Sequence, residues 1–197
     1  MRLTTSRHHG TNSTRKTVFV RPLGIAIGAC LVLLLGCPFP LLAQATRSQN
    51  YSTVYATILY DKAEDLYRFT RNIGSGISFL GENPEHNPLL AKKRVDKIVD
   101  KVMTLLDMRS PNFHFSIYLC RTTAEVETAY RRLGMTGPVP EAFYSHVNRS
   151  ITLSPDTIND GMLAHEIAHA VISAYFGTPP PARMQEVLAQ YVDSHLE

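Results

Sequence analysis

Residues 162–176 read MLAHEIAHAVISAYF, and inside this stretch His165-Glu166-Ile167-Ala168-His169 forms an HExxH motif. Apart from the His-Glu-His set and Ser173 the stretch is apolar nearly all round, which predicts a helix buried in a core. Two histidines four residues apart lie roughly 40° apart around a helix of 3.6 residues per turn, so both imidazoles leave one face and can share a metal ion. Glu166 points to the same open side, within reach of a water held there, and has the chemistry of a general base. Three ionisable groups on such a helix cost on the order of several kcal/mol unless something pairs them, and a bound cation supplies that pairing.

The third ligand decides the class of site. A helix-extended HExxHxxGxxH pattern needs glycine at 172 and histidine at 175, where the chain has Ile172 and Tyr175. Downstream, Gly177 is placed to end the helix, and Pro179-Pro180-Pro181 forces a stiff turn before a second helical run, ARMQEVLAQYVDSHL. Glu186 falls early in that run. The climb from His169 to Gly177 covers about 12 Å at 1.5 Å per residue, and a short loop with one returning turn brings Glu186 back beside the two histidines.

HEIAHAV followed by QEVLAQYV resembles the gluzincin branch of the zinc metallopeptidases, in which HExxH is followed by an E-x-x-A-x-Y element on the next helix. Glu186, Ala189 and Tyr191 match that element, and the likeness spans roughly residues 140–196. It implies one Zn2+ per chain held by His165, His169 and Glu186, with Glu166 as the catalytic base. It also implies hydrolysis of peptide bonds in a peptide or protein substrate by a zinc-activated water. The chain departs from the better-known pattern at Gln190, one turn after the ligand glutamate, where some relatives carry an aspartate that orients a histidine. Support for His165 is therefore open, with Asp160 and Asp193 as candidates. The alternative is a non-catalytic, zinc-stabilised binding module of the cell envelope. Glu166 argues against that alternative, since metal binding alone has no use for it.

Upstream, EAFYSHV and SITLSP are rich in β-branched and aromatic residues and flank Asn148-Arg149, which predicts a hairpin. The resemblance implies that its first strand is an edge strand onto which an extended substrate adds, giving Ala142, Phe143, Tyr144 and His146 as substrate-binding candidates. Tyr144 and His146 alternate onto one face. There they either reach a developing oxyanion or pack across the strands, and both readings stay open.

Residues 1–22 carry five Lys or Arg and no acid, and LGIAIGACLVLLLGC leads on to Pro40-Leu41-Leu42-Ala43-Gln44-Ala45. This layout reads as a signal peptide over residues 1–45 and an exported protein, secreted or in the periplasm or cell envelope. An uncleaved membrane anchor and lipidation at Cys37, in Leu34-Leu35-Gly36-Cys37, are the other readings. The membrane is a partner only through this segment if it is retained. The whole chain is +3, yet beyond residue 45 there remain 15 basic and 17 acidic residues, so nothing points to nucleic acid. Cys120 is the one cysteine of that part, which excludes an intrachain disulfide there and suits a small buried apolar residue.

The rest reads as an α+β fold: a small zincin-like domain over residues 89–197, preceded by a strand-helix segment at 46–88. That segment is either integral or an inhibitory pro-region. YSTVYATILY reads as one strand and DKAEDLYRFTRNI as a helix, and Asn87-Pro88 opens another helix whose stripe of Val95, Ile98, Val99, Val102, Leu105 and Leu106 is core. Phe113, Phe115, Ile117 and Leu119 alternate with His114, Ser116, Tyr118 and Cys120 as a half-buried strand. Thr122 and Glu125 form a capping box for the helix that Gly134 ends. The expected sheet has three to four strands, packed on the HExxH helix and the glutamate helix.

Overall fold

The computed structural model describes residues 49–74, 87 and 89–196. Their order is β1 (Gln49–Ser52), β2 (Ala56–Tyr60), α1 (Ala63–Asn72), α2 (Leu89–Leu106), β3 (Phe115–Leu119), α3 (Thr123–Arg132), β4 (Ala142–Ser145), β5 (Ser150–Leu153), α4 (Asp160–Phe176) and α5 (Ala182–Ser194). The fold is α+β around one mixed sheet of order β1-β2-β3-β5-β4, in which β2, β3 and β5 run parallel and both outer strands antiparallel. The leader and its cleavage, lipid and anchor readings lie outside the described residues. Among the described residues no helix is long and apolar enough to cross a membrane.

The sheet has five strands rather than three or four because YSTVYATILY is a hairpin. Thr53 breaks it: its Oγ1 accepts from the Tyr55 and Ala56 N–H groups at 3.2 and 2.9 Å, a local turn that competes with continued strand. Asp96 on α2 fastens that turn by accepting from the Val54 and Tyr55 N–H groups. The segment then supplies an interior strand, β2, and Ile58 and Phe69 are fully buried in the common core.

Register aligns Ile58, Ile117 and Ile151 across β2, β3 and β5, all with no exposed surface. This row faces the helices and merges with Leu163, Ile167 and Ile172 of α4 and Val95, Ile98 and Val102 of α2. Burying a large aliphatic side chain contributes about 1.5–3 kcal/mol, so this layer dominates the fold's stability. On the opposite face α3 covers the β5-β4 end, where Val126 packs against Cys120 and Phe143. The Thr122 cap forms, its side chain accepting from Glu125 N at 3.2 Å, while Glu125 reaches back to the Arg121 N–H.

Helix α4 starts at Asn159, whose side chain accepts from Met162 N at 2.9 Å, and stops at Gly177, where φ is 68°. Such a backbone suits glycine, and it releases the chain into the proline turn that carries α5 back along α4. The hairpin β4-β5 forms as expected, and β4 lies at the sheet's edge beside α4.

Candidate metal centre

HExxH spans the second and third turns of α4, where the apolar positions around it fix the helix in the core. Leu163, Ala164, Ile167 and Ala168 are fully buried. The histidines emerge on the remaining side, with side chains 22% and 18% exposed. Their Nε2 atoms are 3.3 Å apart. From α5, Glu186 brings Oε1 to 3.6 Å from His165 Nε2 and Oε2 to 3.7 Å from His169 Nε2. A tetrahedral zinc with bonds of about 2.0–2.1 Å requires ligand atoms about 3.4 Å apart, and this triangle has that size. Two imidazoles and one carboxylate also match the donor set of a zinc site that leaves a position open. The three residues named as ligands are thus brought together from two helices.

Glu166 lies beside this triangle but not in it. Burial raises its carboxyl to about 8; the Tyr144 backbone nearby opposes that shift, and Glu186's negative charge adds to it. The His169 ring is held below the usual histidine range by burial and by His165, with Glu186 and Gln185 pulling the other way.

A cleft of about 430 Å³ runs over the triangle, bordered by Pro140, Ala142, Phe143, Tyr144 and His146 on one side and Gln185 and Glu186 on the other. The four strand candidates do not contribute alike. Tyr144 pairs with Ile151, so its ring joins the core-facing row; its hydroxyl lies beside Ser173, one turn beyond His169. Burial raises this phenol, while Ser173 and Arg149 lower it. Phe143 borders the cleft, but its ring packs edge-on against Tyr130, centroids 5.3 Å apart. His146 is exposed in the turn after β4 and faces the same cleft. His114 shares a hydrogen bond of 2.9 Å with Thr57 at the far side of the sheet.

The carboxylates proposed to support His165 act elsewhere in the fold. Asp160 accepts from the Gly74 N–H, and Asp193 lies against Gly161, both at the first turn of α4. Two glutamines lie closer to the triangle. Gln185 donates to Pro180 O at 2.7 Å and borders the cleft beside His169, whose protonated form it favours. Gln190 donates to Glu186 Oε1 at 3.0 Å. Their spacing, one before and four after the glutamate, was the signal available in the sequence. Comparison of the chain with models of known families, with curated proteins and with solved structures finds no match.

Proposed function

We propose that the protein is a zinc-dependent peptidase acting on extended peptide or protein substrates. The observation that carries this reading is the triangle of His165, His169 and Glu186 at zinc-ligand spacing, with a carboxyl group, Glu166, recessed beside it and bound to none of the three. Bound zinc supplies Lewis-acid polarisation of the scissile carbonyl and activation of the attacking water. Glu166 takes the proton from that water as its oxygen bonds to the carbonyl carbon. It then delivers the proton to the amine nitrogen as the C–N bond breaks.

β4, at the sheet's edge and bordering the cleft, binds the substrate as an added strand, with Ala142 among the residues that line it. His146, at the end of the same cleft, is the side chain available to an oxyanion, whereas Tyr144 is turned toward Ser173. Export, implied by the N-terminal segment, would set this activity outside the cytoplasm.

The test is chelator-sensitive cleavage of an unfolded protein by the parent, Glu166→Gln and Glu186→Ala, with zinc content measured in each. Glu166→Gln is expected to hold about one zinc per chain and lose at least about a thousandfold in turnover. Glu186→Ala loses one of four zinc contacts. Dividing a typical total of about 10–16 kcal/mol among them gives roughly 3 kcal/mol, or a hundredfold or more in affinity. Full turnover by Glu166→Gln would sink the mechanism. A parent protein that takes up no zinc would remove its basis.

A further inference from the structure

We infer that Gln190 is a positioning residue of the metal centre, whose side-chain amide holds the Glu186 carboxylate in the orientation that completes the ligand triangle. This rests on the reading of His165, His169 and Glu186 as ligands. The three differ in how they are held. The histidines rise from a helix locked in the core, but the Glu186 side chain is 48% exposed. A glutamate on a helix surface has three free torsions, and ordering it costs side-chain entropy that metal binding would have to overcome. Gln190, one turn further along α5, removes part of that freedom in advance by donating from Nε2 to Oε1 at 3.0 Å. With Oε1 so directed the two oxygens sit 3.6 and 3.7 Å from the two imidazole nitrogens.

The residue type also matters. A carboxylate at 190 would repel Glu186 at the i,i+4 distance, and a lysine would neutralise it and compete with a cation. An amide donates without changing the charge, so the ligand keeps its full negative charge for the metal. Gln190 is itself exposed, so its side chain can be altered without opening the core.

The experiment compares the parent protein with Gln190→Met, which keeps side-chain length and helix propensity but cannot donate, and with Glu186→Ala. Zinc affinity is measured at one pH by competition with a chromophoric chelator. Cobalt absorption is recorded on both proteins, and thermal unfolding is followed without metal. The expected result for Gln190→Met is a zinc dissociation constant raised about tenfold, a changed cobalt ligand-field spectrum and an unchanged metal-free midpoint. Affinity and spectrum equal to the parent's would overturn the inference and leave the site reading intact. A fall in the metal-free midpoint large enough to account for the weaker binding would also overturn it, making the residue one that stabilises the fold. A parent that binds no zinc, or a Glu186→Ala variant that binds it as tightly, would overturn the site reading and this inference with it.

Discussion

Helices α4 and α5 lie side by side and share one site, yet they are built in opposite ways. Along α4 the apolar residues cover nearly the whole circumference, and Leu163, Ala164, Ile167, Ala168 and Ile172 have no exposed surface. Along α5 only Ala189 and Val192 are buried, and Met184, Val187 and Tyr191 stand 43–59% exposed. Two of the three proposed ligands therefore come from a frame that the core fixes, and the third from a helix lying on the surface. A side chain offered by the first needs no local support, because burial has already ordered its backbone and rotamer. One offered by the second needs a hydrogen bond of its own, and Gln190 provides it.

The most severe test of that contrast is the pH dependence of the metal-free protein. Glu166, recessed on α4, has its carboxyl raised by burial from the ordinary 4.5 to about 8. Between those pH values the folded state holds more protons than the unfolded one. The contribution is thus fully present at acid pH and is lost as the pH rises from about 4.5 towards 8. Its total is on the order of a few kcal/mol at about 1.4 kcal/mol per unit. His169, lowered chiefly by burial, works in the other direction, gaining stability as the pH rises toward 6.5. Glu166→Gln removes the first trend and keeps the second. Urea unfolding in excess chelator at several pH values should therefore show the variant gaining on the parent between pH 5 and 8. A constant difference between them would mean that Glu166 meets water freely and that the α4 side of the site is no more sheltered than α5.

A smaller effect separates the two helices by packing alone. Ile167→Ala should cost about 2–5 kcal/mol, since it opens a cavity among side chains that meet no solvent. Val187→Ala, on the outer face of α5, should change stability by no more than about 0.5 kcal/mol. Denaturant midpoints of the two variants measure the contrast directly. An equal loss in both would mean that the outer face of α5 is covered in solution.

The same contrast explains what could be read from the sequence. HExxH and its apolar flanks announced α4 because a buried helix writes its environment into every position. Glu186 could be placed from the turn at Gly177 and the prolines, since the distance climbed had to be retraced. The hydrogen bond from Gln190 had only its i,i+4 spacing as a signal, which does not single it out, because on an exposed helix many side chains satisfy the same pattern. Two further misses have local causes. The split of β1 from β2 depends on Thr53 and on Asp96, more than forty residues away, so no period within the segment reveals it. Tyr144 and His146 share a parity in the sequence, but β4 ends at Ser145. Tyr144 thus follows the isoleucine row into the core, while His146 lies in the turn.

The smallest effect is expected where the two helices meet away from the site, and it bears on how loosely α5 is attached. Asp193 on α5 sets its carboxylate against Gly161 in the first turn of α4, so close that a Cβ there would lie 2.2 Å from Oδ1. A negative charge at a helix N-terminus contributes about 0.3–1 kcal/mol, and losing it is the cost of Gly161→Ala if the carboxylate swings away. Alanine returns about 0.5–1 kcal/mol, because glycine is the poorer residue within a helix. The two nearly cancel, and the unfolding free energy should shift by less than about 1 kcal/mol. Asp193 is exposed, and its carboxylate is the far end of a short side chain, which gives it room to move. A loss above about 2 kcal/mol in denaturant unfolding would require the α5 backbone itself to be displaced. The end of α5 would then be clamped to α4 as firmly as a core element, and the contrast between a fixed and an adjustable helix would hold only for the turns around Glu186.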